Sequence, residues 1–326
     1  MLSRRQFLAG TCGGLVAASF SRRWLAMAPA PEAESVAGAT YALAGPPYRV
    51  VAPAIGADGF HPEVRLSQDN PYQGGAIFIT AAHAVAGTAS VFGRQYLLAP
   101  GPEGVAGFIG FGTEDPPGPA TLVTSVVDGL GAPITAAHPI RIRTTSWTFD
   151  EIYIPPPDPN APPSTRPPLA NEQPRLDALY ATVTARQWSS PWIIPIDLGG
   201  EVWISGYFGE ERSFNGGPRQ GHHGGTDIAA PEGTPVRSTN HGTVVLAEET
   251  LIRGFLVVVD HGSGVLSCYG HMRELRVAAG QVVSRGQTVG LVGSSGLSTG
   301  PHLHWELATG GVLIDGLRWL DGTQGF

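Results

Sequence analysis

Residues 286–307 read GQTVGLVGSSGLSTGPHLHWEL, with two short apolar runs at residues 288–292 and 302–307. Glycine, serine and proline dominate the residues between them, a composition typical of a loop. Short runs rich in β-branched and apolar residues favour strands. The stretch therefore predicts two strands of an antiparallel sheet, joined by a flexible Gly-rich connection that leads directly to His302.

The same pattern extends towards the N-terminus of this segment. Apolar runs at residues 242–246, 255–259 and 265–269 are separated by short Gly-rich connections. No helical periodicity of comparable length interrupts them. We therefore expect residues 191–326 to form one antiparallel β-sheet domain.

The first half of the chain predicts a second β domain. Short β-rich runs, such as residues 76–80 and 121–127, are punctuated by Gly and Pro, which indicates a small antiparallel β-sandwich over residues 39–157. The proline-dense residues 155–168 have few backbone donors for a sheet and predict an extended linker. With the helix that follows, this linker makes up the predicted segment 158–190.

That helix is predicted over residues 171–188. Leu176, Leu179, Tyr180 and Val183 follow the i, i+3, i+4, i+7 spacing of one apolar helix face. The pattern indicates three or four turns that brace the second domain.

The composition supports a mainly β protein. The 326 residues include 45 glycines and 29 prolines, and only 14% are charged, which argues against a coiled coil or a helical array. The chain has no lysine, which excludes a lysine Schiff base and a P-loop lysine. Its formal net charge of −7 disfavours a nucleic-acid partner.

The N-terminal residues have the three-part form of an export signal. A basic start with Arg4 and Arg5 precedes a weakly apolar run at residues 7–20 and a group of small residues. The paired arginines resemble a twin-arginine signal, and the apolar run is too short for a permanent membrane span. We expect residues 1–38 to be a signal peptide and a disordered start, and the protein to be exported to the periplasm, cell envelope or exterior of a bacterium. After processing, Cys268 would be the remaining cysteine, so no internal disulfide is expected.

Histidines and an aspartate in the second half indicate a metal site. His302 and His304 are two residues apart in a predicted strand, so their side chains project from the same face. Two unpartnered imidazoles are costly on an apolar sheet face, and a bound cation would give them a partner. His223 and Asp227 are separated by a segment containing two glycines, which allows both side chains to reach one point. Histidine and aspartate are suitable zinc ligands, and three protein ligands leave a fourth position for water.

Several motifs of the second half occur in one order. They are residues 205–209 (SGYFG), His223-x-Gly225-x-Asp227, Tyr269-x-His271 and residues 298–304 (STGPHLH). This part of the chain resembles the lysostaphin-type, LytM-like zinc metallopeptidases, which cut the peptides of peptidoglycan. The first half resembles the immunoglobulin-like modules that precede some of these peptidases.

The resemblance implies one zinc ion bound by His223, Asp227 and His304. It also implies that His271 and His302 stay unligated beside the metal as catalytic residues. They would remove a proton from water, stabilise the oxyanion and protonate the leaving amine, and the division of these tasks between them is open.

Other polar residues of the second half are weaker candidates. His222 is a competing ligand, but only His223 stands at the motif spacing from Asp227. We interpret His241 and His261 as turn residues or as hydrogen-bond partners of the ligands. Arg212 and Asn215 precede the metal motif in a segment that could line or cover a groove.

Two classes of function remain open. The first is a zinc endopeptidase that hydrolyses peptide bonds in peptidoglycan. The alternative is a non-catalytic regulator that binds and activates other cell-wall hydrolases, because some proteins of the resembled family have lost the metal. All five residues that the resemblance implies are present, which favours the enzyme.

Overall fold

A computed structural model describes residues 61–153 and 171–322 of the chain. The predicted signal and the proline-dense linker lie outside these residues. Within the described ranges, none of the helices has the length and apolar character needed to cross a bilayer.

The first half forms two four-stranded antiparallel sheets. Their strands are β1 (Glu63–Leu66), β2 (Ala76–Ala82), β3 (Ala84–Val91), β4 (Arg94–Leu97), β5 (Ala99–Gly101), β6 (Gly104–Gly110), β7 (Gly118–Asp128) and β8 (Pro133–Ile142). The strand orders are β1-β2-β6-β5 and β4-β3-β7-β8. Ile77 and Phe108 from one sheet share a buried core with Leu122 and Val126 from the other. The predicted β-sandwich is therefore confirmed, and its two quoted runs lie in β2 and β7.

The second half is built around a ten-stranded antiparallel sheet. The strands after β8 are β9 (Phe149–Ile152), β10 (Trp203–Gly206), β11 (Glu211–Phe214), β12 (Gln220–His222), β13 (Thr226–Ala229), β14 (Pro235–Arg237), β15 (Gly242–Glu249), β16 (Phe255–Gly262), β17 (Val265–Leu275), β18 (Val282–Val283), β19 (Thr288–Val292), β20 (His302–Thr309) and β21 (Val312–Ile314). The main path is β10-β13-β20-β17-β16-β15-β18, to which β14, β19 and β21 add. Each run predicted as a strand in this half is found in a strand, and the mainly β fold class is confirmed.

Strand β20 shows why the sheet can carry both a core and a site. Leu303 and Trp305 point into a buried apolar cluster, whereas His302, His304 and Glu306 alternate with them and so share the opposite face. The polar residues of one strand are thereby presented together.

Three strands form a small separate sheet in the order β12-β11-β9. Strand β9 belongs to the predicted first half, yet it pairs in parallel with β11, with Asp150 opposite Arg212. This pairing was not predicted, because parallel neighbours that are distant in sequence leave no local pattern.

The helix α1 (Gln173–Tyr180) is shorter than predicted. It has eight residues, about two turns, with α2 (Gly316–Leu320) as the second helix of the described residues. After Tyr180, the Thr182 hydroxyl donates to the carbonyl of Leu179, which competes with further helical bonding. The chain then runs along β16 and β17, where Thr184 accepts from the backbone of Ser263. Tertiary hydrogen bonds thus replace the last predicted turns.

The buried face of α1 agrees with the predicted stripe. Leu176 and Tyr180 are buried against Leu256 and Leu266 of the large sheet. The helix therefore covers this sheet, as expected of a brace.

An aromatic junction connects the two halves. It consists of Phe78, Phe108, Trp188, Trp192 and Trp319. The ring centroids of Phe108 and Trp319 are 4.8 Å apart, and those of Phe108 and Trp188 are 5.5 Å apart. Aromatic contacts of this kind add stabilisation beyond area burial, so the sandwich and the large sheet share part of one core.

Candidate metal centre

Two neighbouring strands place the predicted ligands opposite each other. In the antiparallel pair of β13 and β20, Asp227 lies directly across from His304. His223 precedes β13, and a Cβ atom at Gly225 would lie only 2.6 Å from the carbonyl oxygen of Trp305. The glycine therefore allows the His223 segment to approach β20 closely.

The three predicted ligand atoms form a compact triangle. His223 Nε2 lies 3.1 Å from His304 Nδ1 and 3.2 Å from Asp227 Oδ1, and the last two atoms are 2.7 Å apart. All three residues are buried. Among residues 61–153 and 171–322, they are the one cluster of at least three His, Cys, Asp or Glu residues with this proximity.

Hydrogen bonds on the outer side of each ligand direct its lone pair inwards. His223 Nδ1–H donates to the carbonyl oxygen of Tyr207 at 2.9 Å, which leaves Nε2 unprotonated. His304 Nε2–H donates to Glu306 Oε1 at 2.9 Å, so Nδ1 is the nitrogen that faces Asp227. The Arg212 guanidinium donates to Asp227 Oδ2 at 2.7 Å. His223 Nε2, Asp227 Oδ1 and His304 Nδ1 thus converge, and a cation is a partner that all three atoms can share.

The pKa values reflect the same convergence. Burial opposes charge on His304, but its hydrogen bonds to Asp227 and Glu306 prevail and raise its pKa to about 9. Burial also disfavours the Asp227 carboxylate, yet His223 and His304 bring the pKa of Asp227 well below its ordinary value. Burial lowers the pKa of His223. The carboxylates of Asp227 and Glu306 therefore favour positive charge at the triangle.

Both remaining predicted histidines lie beside this triangle. The ring centroids of His271 and His302 are 4.7 Å apart, and His302 Nε2 lies 3.8 Å from Asp227 Oδ1. Nδ1–H of His271 donates to the Ser295 carbonyl at 2.8 Å. Nδ1–H of His302 donates to the Gly300 carbonyl, also at 2.8 Å. Burial lowers the pKa of both rings, so each is neutral with an unprotonated Nε2.

The backbone of His271 is held in an uncommon conformation. Its φ is +60°, in the left-handed region that is rare for residues other than glycine. Its N–H donates to the carbonyl oxygen of Arg253 at 2.6 Å. Such strain persists where surrounding contacts enforce it, often at functional sites.

The structure separates His222 from the site. Its Nδ1–H donates to the Gly209 carbonyl at 2.7 Å, and its Nε2 faces Glu114 at 3.0 Å. The ring also lies 5.6 Å from that of Trp147. His222 therefore points into different surroundings from its sequence neighbour His223.

His241 and His261 are placed together at another part of the sheet. His261 is fully buried, with Nδ1–H donating to the His241 carbonyl and Nε2 2.7 Å from the Ser267 hydroxyl. These contacts are structural, and they link the two histidines to each other and not to the ligands.

Of the two upstream residues, Arg212 reaches the site from β11 through Asp227. Asn215 is exposed at the end of that strand, where its backbone N–H donates to the Ile152 carbonyl.

Three buried charged residues behind the ligands were missed from the sequence. They are Glu172, Arg253 and Glu306. Glu306 could have been found, because it follows His302 and His304 at the two-residue strand period. Arg253 and Glu172 lie in connecting segments without periodicity, so no sequence signal indicates their role.

Comparison with known proteins shows which family this part of the chain resembles. Residues 221–316 match the model of peptidase family M23. The chain is 40% identical over 115 residues to the peptidoglycan DD-endopeptidase ShyA of Vibrio cholerae, covering 35% of this chain and 27% of that protein. It is 40% identical over 96 residues to the murein hydrolase activator EnvC of Escherichia coli, covering 29% of this chain and 23% of that protein. The chain thus spans about a quarter of the length of these curated relatives.

The solved structures support the fold. A putative peptidase M23 from Pseudomonas aeruginosa superposes with a TM-score of 0.54 at 22% identity, covering 77% of this chain and 94% of that chain. The similarity therefore extends beyond the matched segment into the first half. Since residues 221–316 hold the whole triangle together with His271 and His302, the chain carries a LytM-like peptidase family M23 domain.

Proposed function

We propose that the protein is a zinc-dependent endopeptidase that hydrolyses peptide bonds in the stem peptides or cross-bridges of peptidoglycan. The observation that carries the proposal is the buried triangle of His223 Nε2, Asp227 Oδ1 and His304 Nδ1, whose sides are 3.2 Å or shorter. The substrate class is taken from the relatives, since ShyA is a peptidoglycan DD-endopeptidase.

The donor set fits zinc. Two imidazole nitrogens and one carboxylate oxygen are common zinc ligands, and a set of three leaves a position open, as in catalytic sites. His223, Asp227 and His304 would hold the ion. A zinc ion bound there would acidify a water molecule and polarise the peptide carbonyl.

The two unligated histidines supply proton transfer. Hydrolysis of a peptide bond requires a proton to leave water and a proton to reach the amine nitrogen of the leaving group. Nε2 of His271 and Nε2 of His302 are both available, because the Nδ1–H of each ring donates to a carbonyl. One ring accepts the proton from water at Nε2, and the protonated ring then donates to the amine or to the developing oxyanion.

The proposed setting is the bacterial cell envelope. ShyA acts on peptidoglycan by name, and the predicted export signal would bring this chain to the cell envelope. We also propose the predicted segment 191–326 as the peptidase domain.

A non-catalytic activator is the second candidate. The similarity to EnvC, a murein hydrolase activator, favours it. The two candidates differ in whether the site needs proton-transfer groups. His271 and His302 stand beside the triangle with the same Nε2 atom available, which an activator would not require.

The decisive experiment uses the mature chain. Its zinc content is measured after dialysis, and it is incubated with purified peptidoglycan whose released fragments are identified by mass spectrometry. Stoichiometric zinc together with fragments cut at peptide bonds would support the endopeptidase. Absence of fragments at any pH, with stimulation of a second wall hydrolase, would instead support the activator.

A further inference from the structure

Three buried charged residues form a row directly behind the proposed metal ligands. Glu306, Arg253 and Glu172 are 1%, 8% and 2% exposed. The Arg253 guanidinium lies 2.6 Å from Glu306 and 3.3 Å from Glu172. Buried ion pairs often contribute little net stability, because desolvation offsets their attraction. The position of these ion pairs, next to His304, therefore indicates a role in the site in addition to any role in the fold.

Glu306, at one end of this row, contacts the proposed ligand His304. Glu306 Oε1 accepts from His304 Nε2–H at 2.9 Å and from Arg253 Nε–H at 2.8 Å, while Oε2 accepts from the Tyr180 hydroxyl at 2.6 Å. Both carboxylate oxygens are engaged, so the carboxylate cannot rotate without breaking a bond. It fixes the protonated nitrogen of His304 and directs Nδ1 towards Asp227.

Arg253, in the middle of this row, contacts His271. The carbonyl oxygen of Arg253 accepts the His271 N–H at 2.6 Å. A Cβ atom at the preceding Gly270 would lie 3.3 Å from Arg253 Cβ and from its carbonyl oxygen. The same arginine therefore sets the backbone of His271, with its φ of +60°, and the carboxylate behind His304.

The last residue belongs to a different part of the sequence. Glu172 precedes α1 and lies outside the matched residues 221–316. Its carboxylate accepts from Arg253 N–H at 2.8 Å and from Ile252 N–H at 3.2 Å, besides its ion pair with the Arg253 side chain. It therefore anchors the loop that carries Arg253.

We propose that Glu306, Arg253 and Glu172 are positioning residues that orient His304 as a metal ligand and His271 as a proton-transfer group. The proposal rests on the zinc site put forward above and adds that a residue upstream of the M23 domain completes it. None of the three residues is itself a proposed ligand or proton-transfer group.

The test compares two nearly isosteric variants, Glu306→Gln and Glu172→Gln. Zinc dissociation constants are measured by competition with a chelator, and visible spectra are recorded after cobalt substitution. Glu306→Gln is expected to weaken zinc binding about 10–100-fold, as is typical for partners of metal ligands, and Glu172→Gln nearer to tenfold. Both should alter the cobalt spectrum, which reports ligand geometry.

A matched control is available on α1. Arg175 forms an exposed ion pair with Glu248, so Arg175→Gln should leave zinc affinity and the cobalt spectrum unchanged. Circular dichroism of the metal-free proteins checks folding. Glu172→Gln retains the acceptor oxygen for the Arg253 backbone, so it remains informative if Glu306→Gln unfolds.

The outcomes separate the two proposals. Unchanged zinc affinity and cobalt spectrum in both variants would overturn the positioning role, even if the unmodified protein cuts peptidoglycan. If the unmodified protein binds zinc without hydrolysing peptidoglycan, the endopeptidase proposal fails, and the affinity comparison still decides the role of Glu306 and Glu172.

Discussion

His302 and His304 are two residues apart on one strand, yet their hydrogen bonds leave different ring nitrogens facing the proposed metal site. His304 Nε2–H is engaged by Glu306, so Nδ1 faces the triangle. His302 Nδ1–H is engaged by the Gly300 carbonyl, so Nε2 is the available atom. In the proposed mechanism, this difference in hydrogen bonding places His304 as a ligand and His302 as a proton-transfer group.

Substitution of each histidine should separate these tasks. His304→Ala removes a proposed ligand and is expected to abolish zinc binding and hydrolysis together. His302→Ala should retain zinc and lose activity by about 10²–10⁴-fold, the usual contribution of general acid–base catalysis. Zinc content and rates of peptidoglycan hydrolysis are measured for both, with His222→Ala as the control that keeps zinc. Equal zinc loss in the His302 and His304 variants would contradict the division.

His261 allows a prediction about stability and pH. Burial lowers its pKa to about 4, whereas in the unfolded chain it titrates near the ordinary value of about 6.5. As pH falls from about 6.5 to about 4, the unfolded state binds a proton that the folded state cannot, so the free energy of unfolding decreases by roughly 3 kcal/mol. This contribution is complete above about pH 6.5.

The check uses the variant His261→Gln. Urea unfolding of the metal-free protein is measured across that pH window for the variant and the unmodified protein. The decrease with falling pH should be smaller in the variant by roughly 3 kcal/mol. Parallel profiles for the two proteins would show that His261 does not contribute to the acid sensitivity.

At the scale of elements, the site depends on the close pairing of β13 and β20. Gly225 permits this pairing, since its Cβ position lies 2.6 Å from the Trp305 carbonyl oxygen and 3.0 Å from His304 Cε1. Gly225→Ala should therefore separate the strands, with a loss of about 1–3 kcal/mol in the free energy of unfolding and weaker zinc binding. Denaturant unfolding and chelator competition measure both effects.

Gly221 provides the control for this substitution. A Cβ atom there meets nothing within 4 Å, so Gly221→Ala should change neither stability nor zinc affinity. If Gly225→Ala behaves like Gly221→Ala, the close approach of the strands is not required.

The helix shows how far local periodicity predicts an element. Leu176 and Tyr180 were correctly assigned to its buried face. Its end was predicted wrongly, because the following residues satisfy their backbone groups on the β16–β17 hairpin, for example through Thr184 and Ser263. A partner more than 70 residues away leaves no trace in the local pattern.

At the scale of the whole molecule, the aromatic junction couples the two halves. Trp319 is 4% exposed and contacts Phe108 of the sandwich and Trp192. Trp319→Ala should lower the free energy of unfolding by about 3–5 kcal/mol, the usual cost for a buried tryptophan. Denaturant unfolding followed by circular dichroism checks this value.

Tyr153→Ala provides the control. Tyr153 is 63% exposed, so the free energy of unfolding of this variant should stay within about 0.5 kcal/mol of that of the unmodified protein. Similar losses in both variants would argue against a shared core.

The sequence by itself determined the strands of the large sheet and the grouping of its chemical residues. Apolar runs separated by glycine indicate strands, and the two-residue strand period places His302 and His304 on one face. The resemblance carried by the motifs implied His223 and Asp227 as candidate ligands. These features are local, since they depend on side-chain type and chain geometry within a few residues.

The tertiary structure alone decided which groups support that site. Arg253 meets Glu172 across 81 residues, and Tyr180 meets Glu306 across 126 residues. It also decided that His222 turns away and that β9 joins β11. Each of these contacts depends on how distant segments pack, and a buried charge is recognisable as such only when the groups that bury and pair it are in place.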